Sequence, residues 1–365
     1  MAKIIIFGDV KTDKEIKIDS RIKSICEGAD LVIANLEGPF IKSAKPRKDK
    51  KGRPLSSNEN IIKLIKDLNL SMLVFGNNHI LDYGLDGLEE SIALAKELGL
   101  DWVGASDGKK DKYFHLDKKN KIVVLSFSHR EGPVAEVGVD GIGPYALPSF
   151  NVIENDIRSF NEKGYSVIVS YHGGEEFFNF PWPRRHAWSE ELLKAGALLV
   201  VGHHSHSIQP VLKTDFGYLA LGLGNTYFHT VYQEAHKGTN GGIFLEVDTK
   251  NKTIKYHCLE ANWEIGSLNI SSGASLLPIE IAKAKLLSLW CKEARRKVYF
   301  NKLNTRKNNH NLLKFLLIIV RNFLSLLRSS LSSVRDRDIM IASIPFFGKY
   351  ILSKSISKNP KNFRF

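Results

Sequence analysis

Cysteine is scarce in this chain, and its scarcity narrows the field. The 365 residues contain Cys26, Cys258 and Cys291 and no others. Three scattered cysteines without a C-x-x-C pair exclude a disulfide framework and a cysteine-built metal site. A reducing, cytoplasmic setting is the expectation. Long apolar runs are missing as well. The opening MAKIIIFGDV holds an apolar stretch, Ile4–Phe7, that is too short for a leader or a membrane span, so export by a cleaved leader is not expected. A phosphate-cradling glycine loop is also lacking: Gly222-Leu-Gly224 has neither a third glycine nor a following lysine.

Acidic charge is short overall, but the shortage is local. The net charge is +13, from 52 Lys+Arg against 39 Asp+Glu. Residues 301–365 hold 13 of the basic residues and 2 of the acidic ones, leaving only +2 on the first 300. The basic excess thus belongs to a C-terminal segment, and a nucleic-acid binder is disfavoured. Within 311–330, Lys314, Arg321 and Arg328 recur every seven residues on an otherwise apolar helix pattern. Arg321 breaks the run of about 18 charge-free residues that a span requires. An amphipathic segment, 311–365, peripheral on the inner face of a membrane, is expected; burial against protein is the competing reading.

Alternation dominates what is present. Short β-branched and aliphatic runs lie at Ile4–Phe7, Leu31–Ala34, Met72–Phe75, Ile122–Phe127, Val167–Tyr171 and Leu198–Val201. Helical periodicity separates them over Asn58–Leu68, Leu85–Leu98 and Trp188–Leu193. Gly242–Val247 and Thr253–Leu259 alternate like an antiparallel pair. The pattern is α/β over residues 1–262, followed by a helical connector over 263–310, with a helix at 278–298, and then the basic segment 311–365. Lys42–Arg53 interrupts it with seven basic residues and one acid. That composition reads as a solvated, mobile loop, with a basic lip attracting an anionic substrate as the alternative.

The strand ends carry the chemistry, because ligands of open α/β sheets gather at the carboxyl ends of strands. Five runs end in donors: Gly8-Asp9; Asn35-Leu36-Glu37; Asn77-Asn78-His79 with Asp82; His172-Gly-Gly-Glu175-Glu176; and His204-x-His206. On an extended segment His204 and His206 would point the same way. Carboxylates, an amide and imidazoles together suit one or two divalent ions such as Mn²⁺, Zn²⁺ or Fe²⁺. The expected metal ligands are Asp9, Glu37, Asn78, His172, His204 and His206.

These motifs, with Gln209-Pro210 and Leu223-Gly224-Asn225, resemble the bacterial capsule-synthesis CapA family, which is similar to calcineurin-type metallophosphoesterases. The resemblance covers about Lys3–Phe228. It implies a four-layer α/β/β/α sandwich with Asp9 and His206 on one metal, Asn78, His172 and His204 on the other, and Glu37 between them. His79, with Asp82 of the same motif, is implied as catalytic, His79 acting as general acid. Asn35, Asn77, Glu176 and Asn225 are implied to orient substrate or ligands. Three departures stand out: Lys11 replaces the usual second histidine, Glu37 replaces a bridging aspartate, and Gly173 replaces a tryptophan. The implied function is metal-dependent hydrolysis of a phosphoester or related bond in capsule or envelope polymer synthesis, on an anionic small-molecule or polymer substrate. The alternative is a non-catalytic assembly or scaffold protein with a structural metal site.

Overall fold

A computed structural model describes residues 2–271, apart from 51, 109–111, 131–132 and 140, together with 289 and 293. The helix expected over 278–298 and the basic segment 311–365 lie outside the described residues. The chain divides into two compact units, residues 1–181 with 188–282, and residues 182–187 with 283–365. The sheets and the site belong to the first. Among the described residues, no helix is long and apolar enough to cross a membrane.

The elements run β1 (Lys3–Lys11), β2 (Lys17–Ile18), α1 (Ser20–Glu27), β3 (Leu31–Leu36), α2 (Asn60–Asp67), β4 (Met72–Val74), α3 (Gly84–Glu97) and β5 (Asp101–Val103). Then come β6 (Ala105–Asp107), β7 (Phe114–Asp117), β8 (Ile122–Ser128), β9 (Ile142–Pro144), α4 (Phe150–Glu162), β10 (Ser166–His172) and α5 (Pro183–Lys194). The series ends with β11 (Leu199–His203), β12 (Val211–Lys213), β13 (Tyr218–Ala220), β14 (Asn225–Phe228), α6 (Val231–Glu234), β15 (Gly241–Asp248), β16 (Thr253–Asn262) and β17 (Ser267–Ile270).

Two large sheets result. One has the order β2-β17-β16-β15-β1-β3-β4-β5, with β14 also pairing β1; the other has the order β12-β13-β11-β10-β8-β7. The central strands β1, β3, β4 and β5 are parallel, as are β8, β10, β11 and β13. All six β3 residues are buried, as a strand covered on both faces requires. The period of two sorts β1 between layers. Ile4 and Ile6 join Ile33, Val74, Val124, Ile168 and Val201 in a core made by both sheets. Ile5 and Phe7 face the other way, onto Ile22 of α1, Ile61, Leu64 and Ile65 of α2, and Leu88 and Ile92 of α3. Burying each such side chain stabilises the fold by about 1.5–3 kcal/mol. On the second sheet, α4 packs along β10 through its buried Ile153 and Ile157. The layers are therefore α/β/β/α.

The expected antiparallel pair forms as β15 and β16. Helices α1 and α4 were not anticipated. The first is capped by Asp19, whose carboxylate accepts the Arg21 amide at 2.9 Å. The basic stretch 42–53 is largely exposed to solvent, as its composition suggests, but it is tethered to the fold. Glu90 on α3 accepts the backbone amides of Lys42, Ser43 and Ala44, and Asp82 accepts the Arg47 amide through its carbonyl and the Leu55 amide through its carboxylate. Two acids, neither visible from composition, pin the segment to the sheet edge.

Candidate metal centre

Asp9 does not end its strand. It sits inside β1, at a break in register with β3 on one side and with β14 on the other. Such a break re-aims a side chain, here into the space between the two sheets' strand ends. Gly8 is needed beside it, because a Cβ there would meet the Gly224 carbonyl oxygen at 2.2 Å. That close approach lets β14 pair with β1 and sets Asn225 opposite Asp9.

A chain of amides then fixes the Asp9 carboxylate. Asn77 donates to Asn35 Oδ1 at 3.2 Å and to the Leu36 carbonyl at 2.8 Å. Asn35 in turn donates to Asp9 Oδ1 at 2.7 Å and lies 3.2 Å from His172 Nδ1. Glu37 follows β3 directly and is completely buried. Among the described residues, no hydrogen-bond donor reaches either of its oxygens. Instead, Oε1 has His172 Nε2 at 3.6 Å, His206 Nε2 at 3.7 Å and His79 Nε2 at 3.9 Å.

Two donor triads share that carboxylate. Glu37, His172 and His204 form one, and Asp9, Glu37 and His206 the other; the offered atoms of each triad lie within 4.8 Å of one another. Asn78 adjoins the first triad, with Oδ1 2.8 Å from His172 Nε2. His204 and His206 do converge, but not through extended alternation. Strand β11 stops at His203, and both histidines adopt the left-handed region, with φ of 82° and 48°. Two such residues in three are unfavourable for side chains with a Cβ, and the bent path is what turns both rings inward. The His204 amide donates to Asp9 Oδ2 at 3.1 Å, anchoring the bend to the opposite sheet.

Charge in this space is unbalanced. Burial pushes the Asp9 carboxyl up, but the hydrogen bond and charge of His203, with His206 and Asn35 behind them, bring it below the usual range. Glu37 goes strongly the other way: burial raises it, and the charges of Asp9, Glu176 and Asp82 raise it further. Burial likewise holds His172 well below the usual imidazole range, as do the neighbouring histidines. A buried carboxyl without a donor among the described residues, beside a second carboxylate and several imidazoles, is a donor set that fits a divalent cation.

Beside this centre, His79 Nδ1 lies 2.7 Å from Asp82 Oδ2. Asp82 is buried, and its other oxygen is 2.5 Å from Lys50 Nζ, which is also 3.4 Å from His79 Nδ1. Lys50 comes from the basic stretch 42–53 and was not singled out from the sequence. Two buried or flanking histidines were also passed over. His203 places Nδ1 3.2 Å from Asp9 Oδ1, and the His129 ring stands 4.9 Å from that of His204. The run Gly202-His203-His204 carried the first signal; the second depended on a pairing between strands. Lys11 is buried yet turned toward Asp13 Oδ2, 3.3 Å away. Glu176 lies on the rim, its Oε2 3.5 Å from the Tyr232 hydroxyl. His206 Nδ1 is 2.9 Å from Asn225 Oδ1. All twelve residues expected at the site lie in this one neighbourhood.

Comparison with known proteins places the chain. A capsule biosynthesis protein CapA of Bacillus anthracis is 33% identical over 238 residues, 60% of this chain and 58% of that one. A PGA biosynthesis protein CapA of Bacillus subtilis (strain 168) is 28% identical over 213 residues, 57% and 55% of the two chains. The chain thus matches little more than half the length of these curated relatives. A solved putative 5'-nucleotidase from Staphylococcus aureus, 12% identical with a TM-score of 0.42, covers 80% of this chain and 58% of its own; no functional weight attaches to a likeness at that level. The family described as bacterial capsule synthesis protein PGA_cap matches residues 10–230, more than half of the chain and every residue of the centre except Asp9, and the protein belongs to that family.

Proposed function

We propose that this protein is a metal-dependent hydrolase that cleaves a phosphoester or related bond in an anionic substrate during capsule or envelope polymer synthesis. The observation that carries the reading is Glu37: a fully buried carboxylate, without a donor, that is the shared corner of two donor triads. The capsule setting is carried over from the names of relatives that this chain matches over little more than half their length.

Asp9, Glu37 and His206 would hold one ion, and Glu37, His172, His204 and Asn78 a second. Divalent ions there would lower the pKa of water and neutralise charge developing on the reacting oxygens. The chain's own residues do the rest. Asp82 accepts from His79 Nδ1, which fixes the ring and leaves Nε2 directed at the centre, where it donates a proton to the departing oxygen. Asn35, itself held by Asn77, keeps the Asp9 carboxylate from turning. The tethered basic stretch draws anions toward the same edge.

Hydrolysis of bis(p-nitrophenyl) phosphate by the full chain with added Mn²⁺ tests the reading. Turnover that falls to background in His204→Ala and in His79→Ala supports it. Equal turnover in the wild type and both variants, or none in any of them under a range of divalent ions, contradicts it.

A further inference from the structure

We infer that Lys50 is a positioning residue of the centre: its ammonium clamps the Asp82 carboxylate and, through it, holds the His79 ring with Nε2 toward Glu37. This rests on the hydrolase reading and adds to it a residue that acts through another.

Lys50 is unlike its neighbours in the basic stretch. Lys42, Lys45, Lys48 and Arg53 are exposed, and Arg47 pairs with the exposed Asp49 at 2.6 Å. Lys50 turns inward, its ammonium 2.5 Å from Asp82 Oδ1. The other oxygen of that buried carboxylate accepts the Leu55 amide at 2.8 Å and lies 2.7 Å from His79 Nδ1. The ammonium is not needed to anchor the stretch. The Asp82 carbonyl already accepts the Arg47 amide at 3.0 Å, Glu90 accepts the amides of Lys42, Ser43 and Ala44, and Ser56 Oγ donates to the Tyr83 hydroxyl at 3.2 Å. What Lys50 adds is a charge on the one carboxylate that touches His79.

Distances decide which donor goes where. Lys50 Nζ stands 3.4 Å from His79 Nδ1 but 2.5 Å from Asp82 Oδ1, and His79 Nδ1 is 2.7 Å from Asp82 Oδ2. The ammonium therefore donates to one oxygen, and the imidazole Nδ1–H donates to the other. A carboxylate that accepts on both oxygens cannot turn about its Cβ–Cγ bond without losing a charge-assisted hydrogen bond. With the ammonium gone, Oδ1 is left bare in a buried place, a state that rotation relieves. His79 then loses its fixed acceptor, and Nε2, 3.9 Å from Glu37 Oε1, loses its direction. Because the Lys50 charge is spent on Asp82, attraction of an anion falls to its exposed neighbours in the stretch.

The test reads the His79 ring proton first and turnover second. An imidazole Nδ1 proton held by a carboxylate resonates far downfield in proton NMR and exchanges slowly. The full chain loaded with Zn²⁺ should show such a signal, assigned by its absence from His79→Asn. It should vanish in Asp82→Asn, broaden beyond detection in Lys50→Gln and survive in Lys50→Arg. With Mn²⁺ and bis(p-nitrophenyl) phosphate, Lys50→Gln should lower kcat about 10- to 100-fold and leave KM within a few-fold. Lys50→Arg should restore most of kcat. Adding Lys50→Gln to Asp82→Asn should cost no more than Asp82→Asn alone. Lys45→Gln, at an exposed cation of the same stretch, should change neither the signal nor kcat. A wild type without the His79 signal, a signal unchanged in Lys50→Gln, a loss that falls on KM, or additive effects of the two substitutions overturns the proposal. A protein with the expected pattern of signals that cuts no phosphodiester keeps the clamp and loses the hydrolase reading.

Discussion

Asn225 Oδ1 lies 2.9 Å from His206 Nδ1, and the rest of the amide dictates that orientation. Asn225 Nδ2 donates to Gln233 Oε1 at 3.2 Å and to the Thr239 carbonyl at 2.8 Å, so Oδ1 must be the atom facing the imidazole. An acceptor there places the His206 proton on Nδ1 and keeps the Nε2 lone pair toward Glu37. Removing such a support weakens metal binding about 10- to 100-fold. Asn225→Ala should therefore lose Mn²⁺ affinity by that factor in isothermal titration, with the circular dichroism spectrum unchanged.

Glu37 gives a pH signature. Its folded pKa is raised above the ordinary 4.5, so the folded state holds a proton that the unfolded state releases. In chelator, its contribution to stability is fully present below about 4.5 and is lost as pH rises toward the raised value. Glu37→Gln removes this dependence. Thermal melts in chelator should show the wild type losing stability relative to Glu37→Gln as pH climbs from about 4.5 to 8. With Mn²⁺ added, the order should reverse, because only the carboxylate gains from the cation. A constant difference across pH would show that the Glu37 carboxyl is not strained.

His79 and Asp82 should separate chemistry from binding. Neither belongs to the two triads that share Glu37. His79→Asn should lower kcat on a phosphodiester about 10²- to 10⁴-fold while Mn²⁺ affinity stays within a few-fold. A matching loss of metal would assign His79 to the metal instead.

Gly8 tests the close approach that builds the centre. Gly8→Ala puts a methyl 2.2 Å from the Gly224 carbonyl oxygen, and backbone on both sides leaves little room to yield. A loss of about 3 kcal/mol or more is expected in urea unfolding. Gly164→Ala, at a turn with open space around it, controls for glycine loss alone, although its φ of 79° adds modest strain.

Much of this was legible in the sequence, for a physical reason. The short apolar runs that lead into Asp9, Glu37, Asn78 and His172 alternate with helical segments, which is the pattern of a parallel sheet, and parallel strands align their carboxyl ends. Local reasoning failed where the chain leaves regular geometry. His204 and His206 converge through two left-handed residues, which no alternation rule contains. Lys50 reaches Asp82 because Glu90 and the Asp82 carbonyl tether its loop, and both contacts are long-range. Asn225 faces Asp9 across 216 residues through a strand pair that the four-residue run Asn225–Phe228 does not announce.

Metal content is the most direct measurement of the central claim. The full chain, purified without added metal and passed through gel filtration, is analysed for Mn, Fe and Zn by plasma mass spectrometry beside a Glu37→Gln/His204→Ala variant. The account predicts one or two ions per wild-type chain and nearly none in the variant. Equal metal in both proteins, or none in the wild type even after incubation with Mn²⁺, would contradict it.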